Sequence, residues 1–482
     1  MFNSHPSNAN MRIFSHIHTR FATYSVGLAL FSVSLFHAYA APQALIKARQ
    51  SVPRICKEVE SIRNLSFLTN ITVHAQSEDA FRTYVNDAID RQFDATSPED
   101  YVHGLVRLGL FPETVDLKRT YMQLLEGQAA AHYDPSPKGK VYYILATNAT
   151  DQVLDLISSH ELCHALQDQH FDLYALIEGD LDYLRDNSDA AFARQALVEG
   201  EATLIMTIWM LMNELDMDDT EQAVQVASMS VEAQASMPLD DIIAMAKVTS
   251  TGLEGMDMNV DALTNAPRYL VQSMLSAYMQ GASMVDHVFT DGGWEAINDL
   301  YKHPPTSSEQ VLHPAKLLGL RDTPTPVKMQ NLLAEMPIGW RVIDEDVVGE
   351  LGIRTYIEQW DRSRGKSAYA RDVGSGWDGD RYIIVGNDRN GKVGLVWKTV
   401  WDSKKDAREF ATAYAVTLRE RFPDIVLNRT AREKNKWRVM EWQVSKTRSI
   451  TLRTRGAWVC IFDSDDDGPL SWMLESTVMS SP

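Results

Sequence analysis

Between Asp151 and Phe171 the chain carries His160-Glu161-Leu162-Cys163-His164 within a stretch of helical spacing. No other feature narrows the choice of fold as much. Residues four apart on an α-helix lie about 40° from one another around the axis. Two imidazoles so placed can grip one cation, with Glu161 beside them to deprotonate a water held there. Three protein ligands and an open fourth position suit zinc, which brings the pKa of a bound water to about 7. Val153, Leu154, Leu156 and Ile157 precede the motif, and Leu162 and Leu166 continue an apolar face. The helix is therefore expected in a core that must bury two His and a Glu, which is costly unless each finds a partner.

Three residues compete to complete the set. His170 stands six positions after His164, but the spacing H-E-x-x-H-x-x-G-x-x-H needs a helix break that Gln167 does not supply. A continuous helix would turn His170 about 240° away. Glu199 and Glu201 flank Gly200 on the next long helical stretch, Ala190 to about Glu214. They lie about 200° apart around the axis, so only one can face the ion. A Gly inside a helix costs about 1 kcal/mol relative to Ala. Gly200 therefore points to another backbone passing close, as between a ligand helix and the metal helix. Asp168 is a candidate to orient an imidazole, or else an exposed helix end. His313, in a Pro-flanked turn, and Tyr278 are candidates to stabilise an oxyanion. Their plain alternatives are a loop histidine and a packing residue.

His160-Glu161-x-x-His164 followed by Glu199-Gly200-x-Ala202 resembles the gluzincin group of zinc metallopeptidases. In its aminopeptidase-type members the Glu of the Glu-Gly-x-Ala run is the third ligand, which corresponds to Glu199. Thr203 stands where thermolysin-like members carry an Asp. The wider pattern, His164-Ala165-Leu166-Gln167-Asp168-Gln169 and Ser308-Glu309-Gln310-Val311-Leu312-His313-Pro314, is similar to a set of exported bacterial metallopeptidases. The resemblance implies a zincin-like domain with Zn2+ on His160, His164 and Glu199. It also implies Glu161 as general base and a peptide or protein substrate. A hairpin is read around Tyr133-Asp134-Pro135-Ser136-Pro137-Lys138-Gly139, with strands Gln128–His132 and Val141–Leu145. It resembles the group's edge strand, which holds substrate extended. The residues alone leave Glu199 and Glu201 both open. Two rivals stand beside the peptidase: a catalytically silent zincin-fold binding or assembly protein, and a zinc hydrolase of a non-peptide bond. Glu161 argues against the first, because a purely structural metal has no need of a base.

The remaining chain sets the context. At 482 residues it is long enough for two or three domains. A net charge of −19 gives no basic face for nucleic acid and disfavours an anionic membrane surface. Arg12 and Arg20, the apolar run Phe21–Phe36 and Ala38-Tyr39-Ala40 read as a signal peptide over residues 1–40, cleaved after Ala40. The chain is thus expected in the periplasm or outside the cell, with no stable membrane span after cleavage. Export permits a disulfide, and Cys56 and Cys460 are the pair left once Cys163 is assigned to the metal helix; three unpaired thiols are the alternative.

Residues 41–335 are expected to form the mainly helical metallopeptidase domain with a small N-terminal sheet. Residues 340–482 are expected to form a C-terminal α+β accessory domain with five strands and one helix, Lys404–Arg421. Residues 41–60 read as a mixed entry segment and Leu65–His74 as a strand. Helices open at Ser77, Pro98 and Pro112. The Glu178–Asp189 stretch reads as a solvated acidic loop, and residues 215–262 as broken helix. Ala266–Phe289 reads as helix, followed by a turn at Asp291-Gly292-Gly293. Asp463-Ser464-Asp465-Asp466-Asp467-Gly468 matches half a calcium loop, but Leu474 occupies its twelfth position, so it is read as a turn.

Overall fold

The computed structural model describes residues 41–465, apart from 93–97, 126–130, 137–139, 146–149, 180, 185, 216, 253–259, 330–335, 337, 362–365 and 433–435. The expected signal peptide lies outside the described residues. No helix among those described is long and apolar enough to cross a membrane.

The chain is mixed α+β. The opening elements are α1 (Ala41–Arg63), β1 (Thr72–Gln76), α2 (Glu78–Gln92), α3 (Pro98–Leu108), α4 (Leu117–Leu125), β2 (Ala131–Asp134) and β3 (Val141–Leu145). The first is a correction: residues 41–60 are helix. Ala48, Val52, Ile55, Val59 and Ile62 repeat at three- and four-residue spacing and are buried, and this periodicity outweighs the interior Pro53. The helix expected at Pro112 begins only at Leu117. Strand β3 is central in a three-stranded sheet of order β1-β3-β2, parallel to β1 and antiparallel to β2.

Next come α5 (Asp151–Phe171), α6 (Leu173–Glu178), α7 (Leu181–Leu184), α8 (Ser188–Asn213), α9 (Thr220–Ser236), α10 (Leu239–Gly252), α11 (Val260–Asn265), α12 (Arg268–Lys302) and α13 (Ser308–Leu312). The Thr150 hydroxyl caps α5 by accepting from Val153 N–H, and Asp172 ends it in a left-handed conformation. Gly293 (φ 63°) supplies the kink in α12 that the Gly-Gly turn announced. The supposed solvated loop Glu178–Asp189 instead holds α7 and the first residues of α8, and Asp189 is buried. Within residues 215–262, α9 and α10 are regular helices.

The C-terminal part holds β4 (Trp340–Asp346), α14 (Gly349–Trp360), α15 (Lys366–Gly374), β5 (Trp377–Asn387), β6 (Val393–Trp401), α16 (Lys404–Arg421), β7 (Val426–Arg432), β8 (Arg438–Gln443), β9 (Ser449–Arg455) and β10 (Trp458–Ser464). Its seven strands form one antiparallel sheet of order β4-β5-β6-β10-β9-β8-β7. Two strands and two helices, β4, β7, α14 and α15, thus add to the elements read from sequence. Asp463, expected to open a turn, is instead buried at the end of β10 against Arg107 and Arg448, and the rest of that stretch from residue 466 lies outside the described residues.

Packing does not follow chain order. One core joins α2–α4 and the first half of α12 to the C-terminal sheet and its helices. The other joins α1, the small sheet, α5, α8, α9 and the second half of α12. The two cysteines expected to pair lie in different cores, Cys56 against the second and Cys460 within the C-terminal sheet. Both are free thiols, as is Cys163, so the proposed disulfide is absent.

Candidate metal centre

Helix α5 is buried from Ser158 through Asp168, and its motif meets α8 on one side and β2 on another. His160 and His164 are edge to face, with ring centroids 4.6 Å apart. Their Nε2 atoms lie 3.0 Å from each other, and each lies 3.3 Å from Glu199 Oε2. Donor atoms bound tetrahedrally to zinc at about 2.0–2.1 Å sit about 3.3 Å apart, so this triangle has the size of one face of such a site. His160, His164 and Glu199 form a group able to hold an ion, and Glu201 is not part of it. Glu161 Oε1 and Glu199 Oε1 are buried without a hydrogen-bond partner, an expensive state that a cation and its bound water would relieve. The residues present therefore fit zinc.

The charges are tightly coupled. Burial alone would hold His164 neutral, but the charge and hydrogen bond of Glu199, with Glu161 and Gln167 adding to them, together outweigh it and lift the ring to about 9. Burial would raise Glu199, yet the two imidazoles draw it down to about 2. Burial lowers His160. Desolvation pushes Glu161 up to about 8, against the Tyr133 N–H that donates to its Oε2 at 2.8 Å. Strand β2 is an edge of its sheet, and this bond turns its outer edge toward Glu161.

The surrounding shell differs from expectation at several positions. Gly200 does face a backbone, but that of α12 rather than the metal helix: a Cβ there would lie 2.1 Å from the Gly281 carbonyl carbon. Asp168 touches neither imidazole and is no exposed helix end. It is buried, accepting from Tyr133 Oη (2.8 Å), Lys140 Nζ and Leu173 N–H. Gln167 takes the position beside the imidazole, with Oε1 2.8 Å from His164 Nδ1. Tyr278 is brought to the site, its ring stacked on His160 at 6.0 Å. His313 is not: it lies against Glu350 (3.0 Å) and Arg354 (3.1 Å) of α14. His170 bonds the Ser66 carbonyl. Thr203 Oγ1 has no partner and orients nothing.

Sequence reasoning missed Gln167, Arg63 and Tyr301. Gln167 carried a usable signal, since it is one turn past His164 on the same helix face. Arg63 and Tyr301 meet Glu201 only through the tertiary fold. His160, Glu161, His164 and Glu199 are each 0–1 % exposed. A surface cavity of about 700 Å3 is bounded in part by Tyr133, Asp168 and Tyr301, and none of the four residues lines it.

Residues 338–471 match the family model described as a domain of unknown function, DUF8575. The match covers the C-terminal sheet and contains none of the four residues above. No curated protein and no solved structure matches the chain.

Proposed function

We propose that this chain is an exported zinc-dependent metallopeptidase with a zincin-like site, in which Glu161 is the general base. The observation that carries the reading is the Nε2, Nε2 and Oε2 triangle with edges of 3.0, 3.3 and 3.3 Å, set one residue from a buried carboxylate. Zinc, when bound, acts as a Lewis acid and makes water acidic enough to attack a carbonyl at neutral pH.

The protein's own groups supply the rest. Nε2 of His160, Nε2 of His164 and the Glu199 carboxylate hold the ion. Glu161 has one oxygen fixed by the Tyr133 N–H and one without a partner. That second oxygen, Oε1, takes the proton from the attacking water and delivers it to the leaving amine. The outer edge of β2 runs next to Glu161, where an extended peptide admitted to the site would lie alongside it, as peptides lie along edge strands. Because the four residues are sealed from solvent, a peptide reaches them only when part of the wall moves.

The test is cleavage of a peptide library by wild type and Glu161→Gln. The substitution should leave zinc bound and lower cleavage by about 10²-fold or more. Equal cleavage by both proteins would remove Glu161 from the mechanism, and zinc binding without cleavage by either would favour a binding protein.

A further inference from the structure

His164 can hold a cation through Nε2 only if its ring presents a lone pair there. The contacts behind the ring decide which nitrogen carries the proton. Gln167 Nε2 lies 3.0 Å from the Val198 carbonyl and 3.1 Å from Glu201 Oε2. Both are acceptors, so the amide must turn its NH2 group toward them. Its oxygen is then fixed on His164 Nδ1, 2.8 Å away. An oxygen can only accept, so Nδ1 carries a proton, and Nε2 is the ring nitrogen that can present a lone pair to the metal.

Glu201 is in turn locked as an acceptor. Arg63 donates to its Oε1 and Tyr301 Oη to its Oε2. Arg63 is further held by Asn298 Oδ1 (2.6 Å) and lies over the Trp294 ring at 4.6 Å, while Tyr301 stacks on Phe171 at 4.1 Å. Gln167, Glu201 and Arg63 are each 0–1 % exposed, so water does not stand in for the contacts between them.

We propose that Gln167 and Glu201 are positioning residues for the metal: Glu201, anchored by Arg63, fixes the Gln167 amide, and Gln167 fixes the tautomer and orientation of His164. The two glutamates around Gly200 thus divide the work, Glu199 holding the ion directly and Glu201 acting through an amide. A carboxylate or carbonyl beside a ligating His is the usual partner; here a glutamine serves, made directional by a charge behind it. This inference rests on the zinc reading above.

The experiment measures zinc affinity of the full chain by chelator competition, with folding followed by circular dichroism. Gln167→Leu should weaken zinc about 10- to 100-fold. The exchange Gln167→Glu with Glu201→Gln keeps an acceptor facing His164 and moves the carboxylate to position 167, leaving Arg63 an amide oxygen as its partner. It should return the affinity to within a few-fold of wild type. A merely structural role makes the double variant the worse of the two, since it disturbs two core positions. If Gln167→Leu fails to fold, the exchanged variant alone decides: restored affinity supports the proposal and lost affinity overturns it. Wild type that binds zinc while Gln167→Leu binds equally well overturns the inference and leaves the zinc site standing. Wild type that binds no zinc overturns both.

Discussion

At the scale of single residues, Glu199 and Glu201 look alike in sequence and differ in kind in the fold. Both are fully buried, but Glu199 faces two imidazoles and Glu201 a guanidinium. Removing one partner of a buried ion pair leaves the other charge uncompensated, at a cost of about 3–5 kcal/mol. Glu201→Ala should therefore lower the unfolding free energy by about that much in urea denaturation of the metal-free protein, by stranding Arg63. A transition superimposable on wild type would refute the pairing. The imidazole pair, Glu161 beside it and the Gly between the two glutamates were legible in the sequence because helical spacing is a local property. The partners of Glu201 were not, since Arg63 lies 138 positions away and Tyr301 lies 100 positions away.

At the scale of elements, the site depends on how closely α8 approaches α12. Gly200 and Gly281 let the backbones touch: a Cβ on Gly281 would lie 2.2 Å from the Ala196 carbonyl oxygen. Neither side can yield without moving a helix, and α12 also carries Tyr278 against His160. Gly200→Ala should destabilise the protein by about 3 kcal/mol or more, whereas Gly391→Ala, in open space, should show only the smaller cost of its positive φ. Equal melting temperatures for Gly200→Ala and wild type would contradict the crossing. The sequence marked Gly200 as a close approach but could not say which helix approached. Helix α1 was hidden by Pro53, and α14 and α15 by the aromatic and β-branched residues around them.

At the scale of the whole molecule, the C-terminal sheet does not stand apart. Its core continues into α2–α4 and the first half of α12, so a chain ending before Trp340 would expose that surface. Such a truncation should fail to give a cooperative thermal transition; a normal one would show that the helical part folds alone. The polar side of the junction makes it pH-sensitive. Asp189, at the start of α8, accepts from Ser308 N–H (3.0 Å) and lies against Gly349 (φ 72°), where a Cβ would fall 1.7 Å from its Oδ1. Ser188 donates to Asp346, and Asp380 accepts from Val348 and Gly349. Burial pushes Asp189 up to about 7, against the Ser308 hydrogen bonds, with Asp380 and Glu350 adding to the rise. The folded state thus keeps a proton that the unfolded chain loses near its ordinary value. The stability this contributes is complete below about 4 and is lost as pH rises through about 7. Asp189→Asn should flatten the fall in melting temperature between pH 5 and pH 8; an unchanged slope would place that sensitivity elsewhere. The Ser308–Pro314 motif was visible in the sequence, but its role as a strap across this junction was not, because its partners Asp189, Glu350 and Leu351 are distant in the chain.

The central claim is that His160, His164 and Glu199 close around one cation. Zinc content per chain, measured after purification and dialysis on wild type, His164→Ala and Glu199→Ala, tests it most directly. The account predicts about one zinc per wild-type chain and a large loss in both variants. No zinc in folded wild type, or full retention in either variant, would contradict it.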